Sequence, residues 1–291
     1  MKYDRIEAMR QDYPITLLCR VFEVGASGYY AWRKRPTSPR AKENARLEVE
    51  IAAAHERTRQ TYGPERLQQD LLDHGVRVGV CRIKRIRKKL NLRCKQKRKF
   101  RNTTDSKHNL PIAPNLLERN FQMSAPNQAW VSDITYVWTD EGWLYLAGIK
   151  DLFNGELVGY AMSERMTRTL VMQALFGAVA LKRPGQGLIL HSDRGSQYCS
   201  QDYQNLTKQF GMKASMSRKA DCWDNAPMES FWGSLKNELV HHERFATRQE
   251  ARNAITEYIE IFYNRQRKQA RLGYLSPAAF TQQFFKNQLA A

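Results

Sequence analysis

Hydrophobic residues in the middle of the chain recur at the two-residue spacing of β-strands. The stretches 130–138, 142–149 and 156–162 are rich in β-branched and aromatic residues, a composition typical of strands. Turn residues separate the three stretches, and the second turn contains Asn154-Gly155, a dipeptide that favours a hairpin. The simplest interpretation is a meander of three antiparallel strands.

The pattern then alternates between helical and strand periodicity. It predicts helices over 167–181, 201–210, 227–239 and 247–266, and short strands over 188–190 and 213–216. Up to residue 239 the order is β-β-β-α-β-α-β-α. This order is typical of an α/β domain of the RNase H-like kind, in which an antiparallel meander is extended by parallel strands and covered by helices.

Helical periodicity dominates the first hundred residues. Residues 14–34 predict two short helices around Gly25-Ala26-Ser27-Gly28, which is the outline of a helix-turn-helix with Ser27 as the N-cap of its second helix. A small structural helical hairpin is the alternative. Further helices are predicted over 45–59, 64–72 and 80–90, and they form a second region of helix-turn-helix type.

These patterns divide the chain into all-α helix-turn-helix domains followed by an α/β domain. Polar residues and prolines make 102–125 a linker. The predicted regions are an N-terminal helix-turn-helix at 1–40, a second basic helix-turn-helix at 41–101, the linker, an RNase H-like catalytic core at 126–240 and a C-terminal helical extension at 241–291.

Positive charge is concentrated in the N-terminal part of the chain. The 291 residues carry a net charge of +18. Residues 1–125 contain 28 Lys and Arg against 13 Asp and Glu, a net charge of +15, whereas residues 126–291 account for only +3. This asymmetry indicates a nucleic-acid-binding region joined to a nearly neutral domain.

The basic residues culminate in one tract of a single sign. From Arg77 to Arg101 there are 13 basic residues and no acid. A solvated helix face is the ordinary interpretation of a charge run, but like charges this dense repel each other unless a polyanion neutralises them. We therefore expect DNA contacts from Arg82, Lys84, Arg85, Arg87, Lys88, Lys89, Lys97, Arg98 and Lys99.

The remaining composition favours a cytoplasmic protein without a membrane segment. The five cysteines are widely spaced and form no Cys-x-x-Cys pair, which indicates reduced thiols. The first residues have no apolar signal sequence. The longest apolar stretch, at 170–181, is shorter than the roughly 20 residues that span a bilayer.

Three carboxylates are the candidate catalytic residues. Asp133 lies within the first predicted strand, Asp193 follows the short strand at 188–190, and Glu229 lies near the start of the helix at 227–239. Taken singly, they are explained as an exposed strand acid, a turn acid and a helix N-terminal acid. In the predicted fold, however, all three converge at one edge of the sheet.

Converging carboxylates in a DNA-binding protein indicate a magnesium site. Carboxylate oxygens are the ligands that Mg²⁺ prefers. Two such ions about 3.5–4 Å apart stabilise the attacking and leaving oxygens of phosphodiester transfer. We expect Asp133 to bridge both ions, with Asp193 and Glu229 each completing one site.

Several nearby residues have two interpretations. Lys236 lies seven residues after Glu229, on the same helix face, and is either a phosphate ligand or a solvated surface lysine. His191 either orients a ligand or makes a structural hydrogen bond. Asp151 is best explained as a turn acid, and solvation in a loop is the default for Asp221 and Asp224.

The motifs around the acids resemble those of DDE transposases of the insertion-sequence-3 type, which share the catalytic core of retroviral integrases. The 35 residues between Asp193 and Glu229 match the spacing of that family, and Lys236 stands where the family has Lys or Arg. The resemblance spans nearly the whole chain and includes the segments 62–63, 130–136, 191–198, 225–231, 263–265 and 272–277.

The resemblance implies Mg²⁺-dependent cleavage at the ends of an insertion element, with Mn²⁺ as a substitute metal, followed by joining of the 3′-hydroxyl to target DNA. It also implies the second of two reading frames, fused to an upstream segment, and a homo-oligomer on the terminal repeats. One departure is Gln269, at a position where the family commonly has His.

Two other functions remain open from the residues alone. An RNase H-like nuclease would hydrolyse DNA without joining it, but the basic helical regions favour recognition of specific DNA ends. A DNA-binding regulator on an inactive catalytic fold is the second alternative, and the three intact acids argue against it.

Overall fold

The computed structural model describes residues 2–95, 112–218 and 222–290. Helices α1 (Lys2–Met9), α2 (Ile15–Val21) and α3 (Ala26–Lys34) enclose a small core of their own. Helix α1 was not predicted. The predicted N-cap at Ser27 is wrong, because the Gly25 carbonyl already accepts a bond from the Tyr29 backbone N–H at 3.1 Å. Ser27 therefore lies inside the first turn.

The next three helices are α4 (Pro39–Arg57), α5 (Pro64–Asp73) and α6 (Val80–Lys89). Helix α4 begins six residues before the predicted position, since Ser38 caps it by accepting the Ala41 backbone N–H at 3.2 Å. Their shared core consists of Leu47, Ile51, Ala54, Leu67, Leu71 and Ile83. The predicted DNA contacts Lys97, Arg98 and Lys99 and the first part of the linker fall outside the described residues.

Five strands form one mixed sheet, β1 (Ala129–Thr139), β2 (Gly142–Asp151), β3 (Leu157–Ser163), β4 (Ile189–Ser192) and β5 (Lys213–Met216). Their order in the sheet is β3-β2-β1-β4-β5. Strands β1 to β3 are antiparallel, while β4 runs parallel to both β1 and β5. The predicted meander and its parallel extension are confirmed.

Strand β1 is much longer than its parallel neighbour. Pairing with β4 covers only Ala129 to Ser132, each with one partner from Ile189 to Ser192. Among the described residues, the part of β1 from Asp133 to Thr139 therefore pairs with β2 alone. The sheet has an open edge that begins at Asp133.

Helices cover both faces of the sheet. Helix α7 (Arg168–Lys182) packs on β3 and β2, followed by α8 (Ser196–Cys199) and α9 (Gln201–Gln209). Gly159 allows this close approach, because a Cβ there would lie 2.5 Å from the Ala178 Cβ. The opposite face is covered by α10 (Ala226–Glu238) and α11 (Arg248–Glu257).

The predicted helix over 247–266 is continuous, but its second half, Tyr258–Gln266, has π-helical geometry. This segment buries Tyr258, Ile259, Phe262 and Tyr263. Helix α12 (Pro277–Leu289) ends the described chain. None of the helices in the described ranges combines the length and apolar composition that crossing a bilayer requires.

The second helical region packs against the C-terminal helices. The Lys268 backbone N–H donates to the Tyr62 hydroxyl at 2.6 Å, and the Lys268 side chain forms an ion pair with Asp73. Arg59 pairs with Glu257 and lies 4.7 Å from the centre of the Phe262 ring. Helices α4 to α6, of which α6 is strongly basic, are thereby held against the C-terminal part of the chain.

Candidate active site

Asp133 is the first residue of β1 beyond the strand's pairing with β4. It faces Gly148 across the β1–β2 pair, on the face that α10 covers. The Trp232 indole Nε1 donates to Asp133 Oδ2 at 3.0 Å. The Asp133 side chain is half-buried at this position.

Strand alternation points the Asp133 carboxylate away from α7 and toward α10, so the helix shields one side of it while the open edge of β1 leaves the other accessible.

Asp193 is the first residue after β4, which is the strand parallel to β1. The Gly195 backbone N–H donates to Asp193 Oδ1 at 2.9 Å and so fixes the carboxylate at the start of the turn. Because Ser132 pairs with Ser192 in the register, the residues that follow them, Asp133 and Asp193, leave the paired region side by side. The structure therefore brings these two acids together, as predicted.

The two aspartates perturb each other. Burial raises the pKa of Asp133 well above its ordinary value, and the negative charge of Asp193 raises it further. The Trp232 hydrogen bond acts in the opposite direction, because it stabilises the ionised carboxylate. Two carboxylates in one partly desolvated place are an environment that favours a bound cation.

Glu229 lies in the first turn of α10, and its side chain is exposed. Its charge contributes least among the causes that raise the pKa of Asp133. Within the described ranges, no group of three or more His, Cys, Asp or Glu side chains is arranged to hold a metal ion. The three acids share one edge of the sheet, but Glu229 does not complete a ligand set with the aspartates.

Two hydrogen bonds fix the start of α10 above the sheet. The buried Lys150 Nζ donates to the Pro227 carbonyl at 2.9 Å, and burial lowers the pKa of Lys150 to about 7. The Asn225 side chain donates to the Ser132 carbonyl at 3.2 Å. These contacts hold the helix turn that carries Glu229 next to the strand that carries Asp133.

The site contains two residues that the sequence analysis missed, Trp232 and Gly148. Gly148 has no side chain where the Trp232 ring crosses β2, and a Cβ there would lie 2.8 Å from Trp232 Cη2. This close approach lets the indole reach Asp133. The signal was available in part, because Trp232 lies three residues after Glu229 in the same predicted helix.

Asp224 is buried, so its predicted solvation in a loop is wrong. It accepts hydrogen bonds from the side chains of Asn115 at 3.0 Å and Arg119 at 3.0 Å. The Arg218 backbone N–H donates to it at 2.8 Å, and the Arg218 guanidinium also binds it. These donors, the Arg218 side chain first, hold the pKa of Asp224 well below its ordinary value. Asp221 lies outside the described residues.

His191 and Asp151 have structural partners. His191 is buried, with Nδ1 2.8 Å from Ser215 Oγ and Nε2 3.1 Å from Ser217 Oγ, and burial lowers its pKa to about 4. Asp151 accepts the Phe153 backbone N–H at 2.8 Å, as expected of a turn acid. Of the two interpretations of His191, the structure favours the structural hydrogen bond.

Lys236 is half-buried, and its Nζ lies 5.0 Å from the centre of the Tyr136 ring. Burial lowers its pKa, while the charge of Asp133 acts in the opposite direction. Gln269, where the family commonly has His, is buried, and its backbone N–H donates to the Leu275 carbonyl at 3.0 Å. The structure thus places Lys236 near the acids rather than on a remote surface.

The six described basic residues predicted to bind DNA all lie on α6, but they are not equivalent. Arg85 and Lys88 are exposed. Three others form ion pairs with acids of α4 and α5, namely Arg82 with Glu43, Lys84 with Glu65 and Lys89 with Glu48.

Arg87 is buried, and its guanidinium donates to Cys94 Sγ at 3.2 Å. The expectation that Arg87 contacts DNA is therefore wrong, because its side chain points into the core of this helical region. Charge alone does not reveal which basic residues of a helix face inward.

Family models match both parts of the chain. A model described as an integrase core domain matches residues 123–222, and a second integrase core model matches residues 229–285. A model described as an HTH-like domain matches residues 42–100. The integrase core models include all three candidate acids.

Similar proteins cover almost the full length. The 31 kDa protein of insertion element IS600 from Shigella sonnei is 59% identical over 94% of this chain and 100% of its own length. The transposase InsF of insertion sequence IS3A from Escherichia coli is 42% identical over 96% of this chain and 98% of its own. The chain belongs to the IS3-type DDE transposases.

This IS3-type transposase is accordingly a DDE polynucleotidyl transferase, and its predicted α/β core with an N-terminal helix-turn-helix region is confirmed. Among solved structures, the HTLV-2 integrase catalytic core domain in complex with magnesium aligns with 53% of this chain and 95% of its own, with 19% identity and a TM-score of 0.43. That likeness is distant, and the assignment rests on the family models and the full-length relatives.

Proposed function

We propose that this transposase cleaves the ends of its insertion element and joins the freed 3′-hydroxyl to target DNA, with Asp133, Asp193 and Glu229 as its catalytic carboxylates. The observation that carries the proposal is that Asp133 and Asp193, which directly follow the paired residues Ser132 and Ser192, lie near enough for the charge of one to raise the pKa of the other at the open edge of β1. A DNA strand can approach this edge because β4 ends at Ser192.

The donor set fits a divalent cation with oxygen ligands. Asp133 and Asp193 offer hard carboxylate oxygens, and a bound divalent cation would relieve their mutual repulsion. Glu229 would join the set once its exposed side chain turns toward the aspartates. When bound, two Mg²⁺ ions, with Mn²⁺ as a substitute, supply activation of the nucleophile and stabilisation of the leaving oxygen.

The residues around the acids prepare the site. Trp232 orients Asp133, and the Gly195 backbone N–H orients Asp193. Lys150 holds the first turn of α10, which carries Glu229. Lys236 lies close enough to the acids to bind a neighbouring DNA phosphate.

The DNA partners are the terminal repeats of the element and the target. Arg85 and Lys88 of α6 are the described basic residues best placed to contact them, because both are exposed and no acid is shown paired with either. Joining two element ends requires at least two active sites, so we infer a homo-oligomer on DNA. We also infer action in the bacterial cytoplasm on nucleoid DNA, and an upstream fused segment.

We propose a separate role for each predicted region of the chain. Regions 1–40 and 41–101 recognise DNA, and region 126–240 performs the chemistry. Region 241–291 holds the two together, as the Lys268 contacts with Tyr62 and Asp73 suggest.

The test uses the full chain and a labelled duplex carrying an element end. Asp133→Asn, Asp193→Asn and Glu229→Gln should each lower Mg²⁺-dependent cleavage and strand transfer by roughly 100- to 1,000-fold, the effect of losing one electrostatic stabiliser of the transition state. Asp202→Asn is the matched control, because Asp202 is a surface acid of α9 paired with Arg168, and it should retain full activity.

The outcomes separate the alternatives. Cleavage that persists in the three variants contradicts the assignment of the acids. Cleavage without joining of a preprocessed end identifies a nuclease. Specific binding of DNA without any cleavage by the unaltered protein identifies a regulator on an inactive fold.

A further inference from the structure

A groove lies at the turn end of the β1–β2 hairpin, on the part of β1 that follows Asp133. We call it the hairpin groove and define it by Tyr136, Trp138, Trp143, Lys236, Arg244 and Phe245. Its volume is about 330 Å³, at the lower limit of pockets that hold small organic groups. Of these six residues, Lys236 already has a proposed role, as a ligand of a DNA phosphate beside the acids.

The groove is close to the acids along two separate elements. Tyr136 and Trp138 are three and five residues beyond Asp133 on β1, about 10 and 17 Å along the strand, and strand alternation places their rings on the face opposite Asp133. Lys236 is seven residues beyond Glu229 on α10, about 10 Å at the rise of a helix. These distances correspond to about three to five nucleotides of a DNA strand.

The aromatic lining is unusually exposed for its size. Trp138 is 55% exposed and Trp143 is 43% exposed. The Trp143 ring centre lies 4.8 Å from that of Trp138 and 4.9 Å from that of Tyr136, with both pairs edge to face. The rings contact each other while each tryptophan keeps roughly half of its surface open to solvent, and exposed apolar surface of this kind is a feature of binding sites.

The charged residues at the groove indicate the class of ligand that it binds. Lys236 Nζ stands over the Tyr136 ring, and Arg244 is largely exposed at the rim, where it pairs with Asp140 at 3.2 Å. Glu243 and His241 also line the rim. Aromatic faces beside cationic side chains are the arrangement by which proteins hold unpaired nucleotides, with bases on the rings and phosphates on the cations.

We propose that the hairpin groove binds unpaired nucleobases of the DNA strand, about three to five nucleotides from the phosphate that reacts, by stacking on Trp138 and Trp143. Lys236 and Arg244 bind the adjoining phosphates. The inference rests on the proposed function, because the strand that enters the groove is the one at the acids. The hairpin groove would give the catalytic domain a binding site for unpaired DNA, separate from the helix-turn-helix regions.

The test measures single-stranded DNA directly and does not depend on cleavage. The full-length protein is titrated with mixed-sequence oligonucleotides of about 12 nucleotides, within the range of single-strand site sizes, each carrying one 2-aminopurine. Stacking should quench the fluorescence of the probe on binding. Trp138→Ala and Trp143→Ala should each remove the quenching and raise Kd roughly 5- to 150-fold, the cost of losing one base–aromatic stack.

Two controls keep the interpretation specific. Trp138→Tyr retains a stacking face and should keep most of the quenching. Phe285→Ala removes a ring of α12 that is exposed to a similar extent, 49%, but lies outside the groove, so its Kd should equal that of the unaltered protein. Unchanged melting curves will show that each variant is folded.

The proposal is overturned if the alanine variants bind and quench the probe as the unaltered protein does. It is also overturned if they change the oligomeric state in light scattering and leave Kd unchanged, because the groove would then be a contact between protein copies. Normal cleavage with no effect of the tryptophans defeats this inference alone. Tryptophan-dependent binding without any cleavage defeats only the proposed function.

Discussion

Replacing Gly148 with alanine should disable the site without touching any acid. A Cβ at Gly148 would lie 2.8 Å from Trp232 Cη2, 3.2 Å from Met228 Cε and 3.3 Å from Leu157 Cδ1. Trp232 is the flexible neighbour with the closest approach, so its indole must shift. The shift lengthens the 3.0 Å hydrogen bond to Asp133.

Two effects set the expected magnitude. Crowding a packed interior by one methyl group costs about 1–3 kcal/mol, which lowers the melting temperature by roughly 2–10 °C for a domain of this size. Loss of a hydrogen bond that orients a metal-binding carboxylate typically costs about 10- to 100-fold in metal affinity or activity. We expect a comparable loss of strand transfer, with part of it recovered at higher Mg²⁺ concentration.

The assay compares Gly148→Ala with two other variants in thermal melts and in strand-transfer rates over a Mg²⁺ titration. Trp232→Phe keeps most of the ring but removes the Nε1 donor, so it should lose activity with less loss of stability. Gly233→Ala is the matched control, since nothing lies within 4 Å of a Cβ at this neighbouring position of α10. It should be as active as the unaltered protein and more stable by about 0.5–1 kcal/mol.

A Gly148→Ala variant with an unchanged melting temperature and unchanged Mg²⁺ dependence would contradict the proposed crowding of Trp232. A fully active Trp232→Phe variant would contradict a role of the Trp232 hydrogen bond in orienting Asp133.

Two further predictions concern Asp224 and the basic helix. Asp224→Asn should destabilise the protein by about 1.5–3 kcal/mol, since it removes the charge that strengthens the hydrogen bonds from the exposed Arg119 and Arg218 to this buried carboxylate. Because the pKa of Asp224 is lowered on folding, its stabilisation is present above the ordinary aspartate pKa and is lost as the pH falls below it, which acid titration of unfolding will measure. Arg85→Ala should weaken DNA binding and reduce the slope of log K against log salt by about 0.9, whereas Arg87→Ala should mainly lower the melting temperature, since Arg87 is buried.

Matched controls sharpen both. Asp202→Asn changes a surface ion pair with Arg168 and should alter the free energy of unfolding by less than about 1 kcal/mol. An equally small effect of Asp224→Asn would contradict the stabilising role of the hydrogen bonds that Asp224 accepts. A salt slope that changes as much in Arg87→Ala as in Arg85→Ala would contradict the inward orientation of Arg87.

Periodicity predicted the sheet better than it predicted helix ends. Alternation and the Asn154-Gly155 turn were enough to predict β1 to β3, because strand faces and hairpin turns are local properties. Helix starts depended on caps that the pattern left ambiguous. Ser38 caps α4, whereas Ser27, an equally suitable residue, lies inside α3 because the backbone already turns at Gly25.

The acids illustrate the same division. Residue type, spacing and placement on predicted elements were sufficient to select Asp133 and Asp193 and to expect that they meet, since parallel neighbouring strands end at one edge. Asp224 was misjudged, because its partners Asn115 and Arg119 lie more than a hundred residues away in the sequence. The local sequence pattern does not indicate a hydrogen-bond partner that comes from a distant segment of the chain.

The sequence by itself determined the order of elements and the concentration of positive charge and supplied the candidate acids, because these depend on residue type and short-range spacing. Only the tertiary structure decided which side chains meet. It placed Trp232 on Asp133 across Gly148 and turned Arg87 inward. It also left Trp138 and Trp143 exposed at the turn end of the β1–β2 hairpin. The physical reason is that burial and contact depend on long-range packing, which a one-dimensional pattern constrains but does not specify.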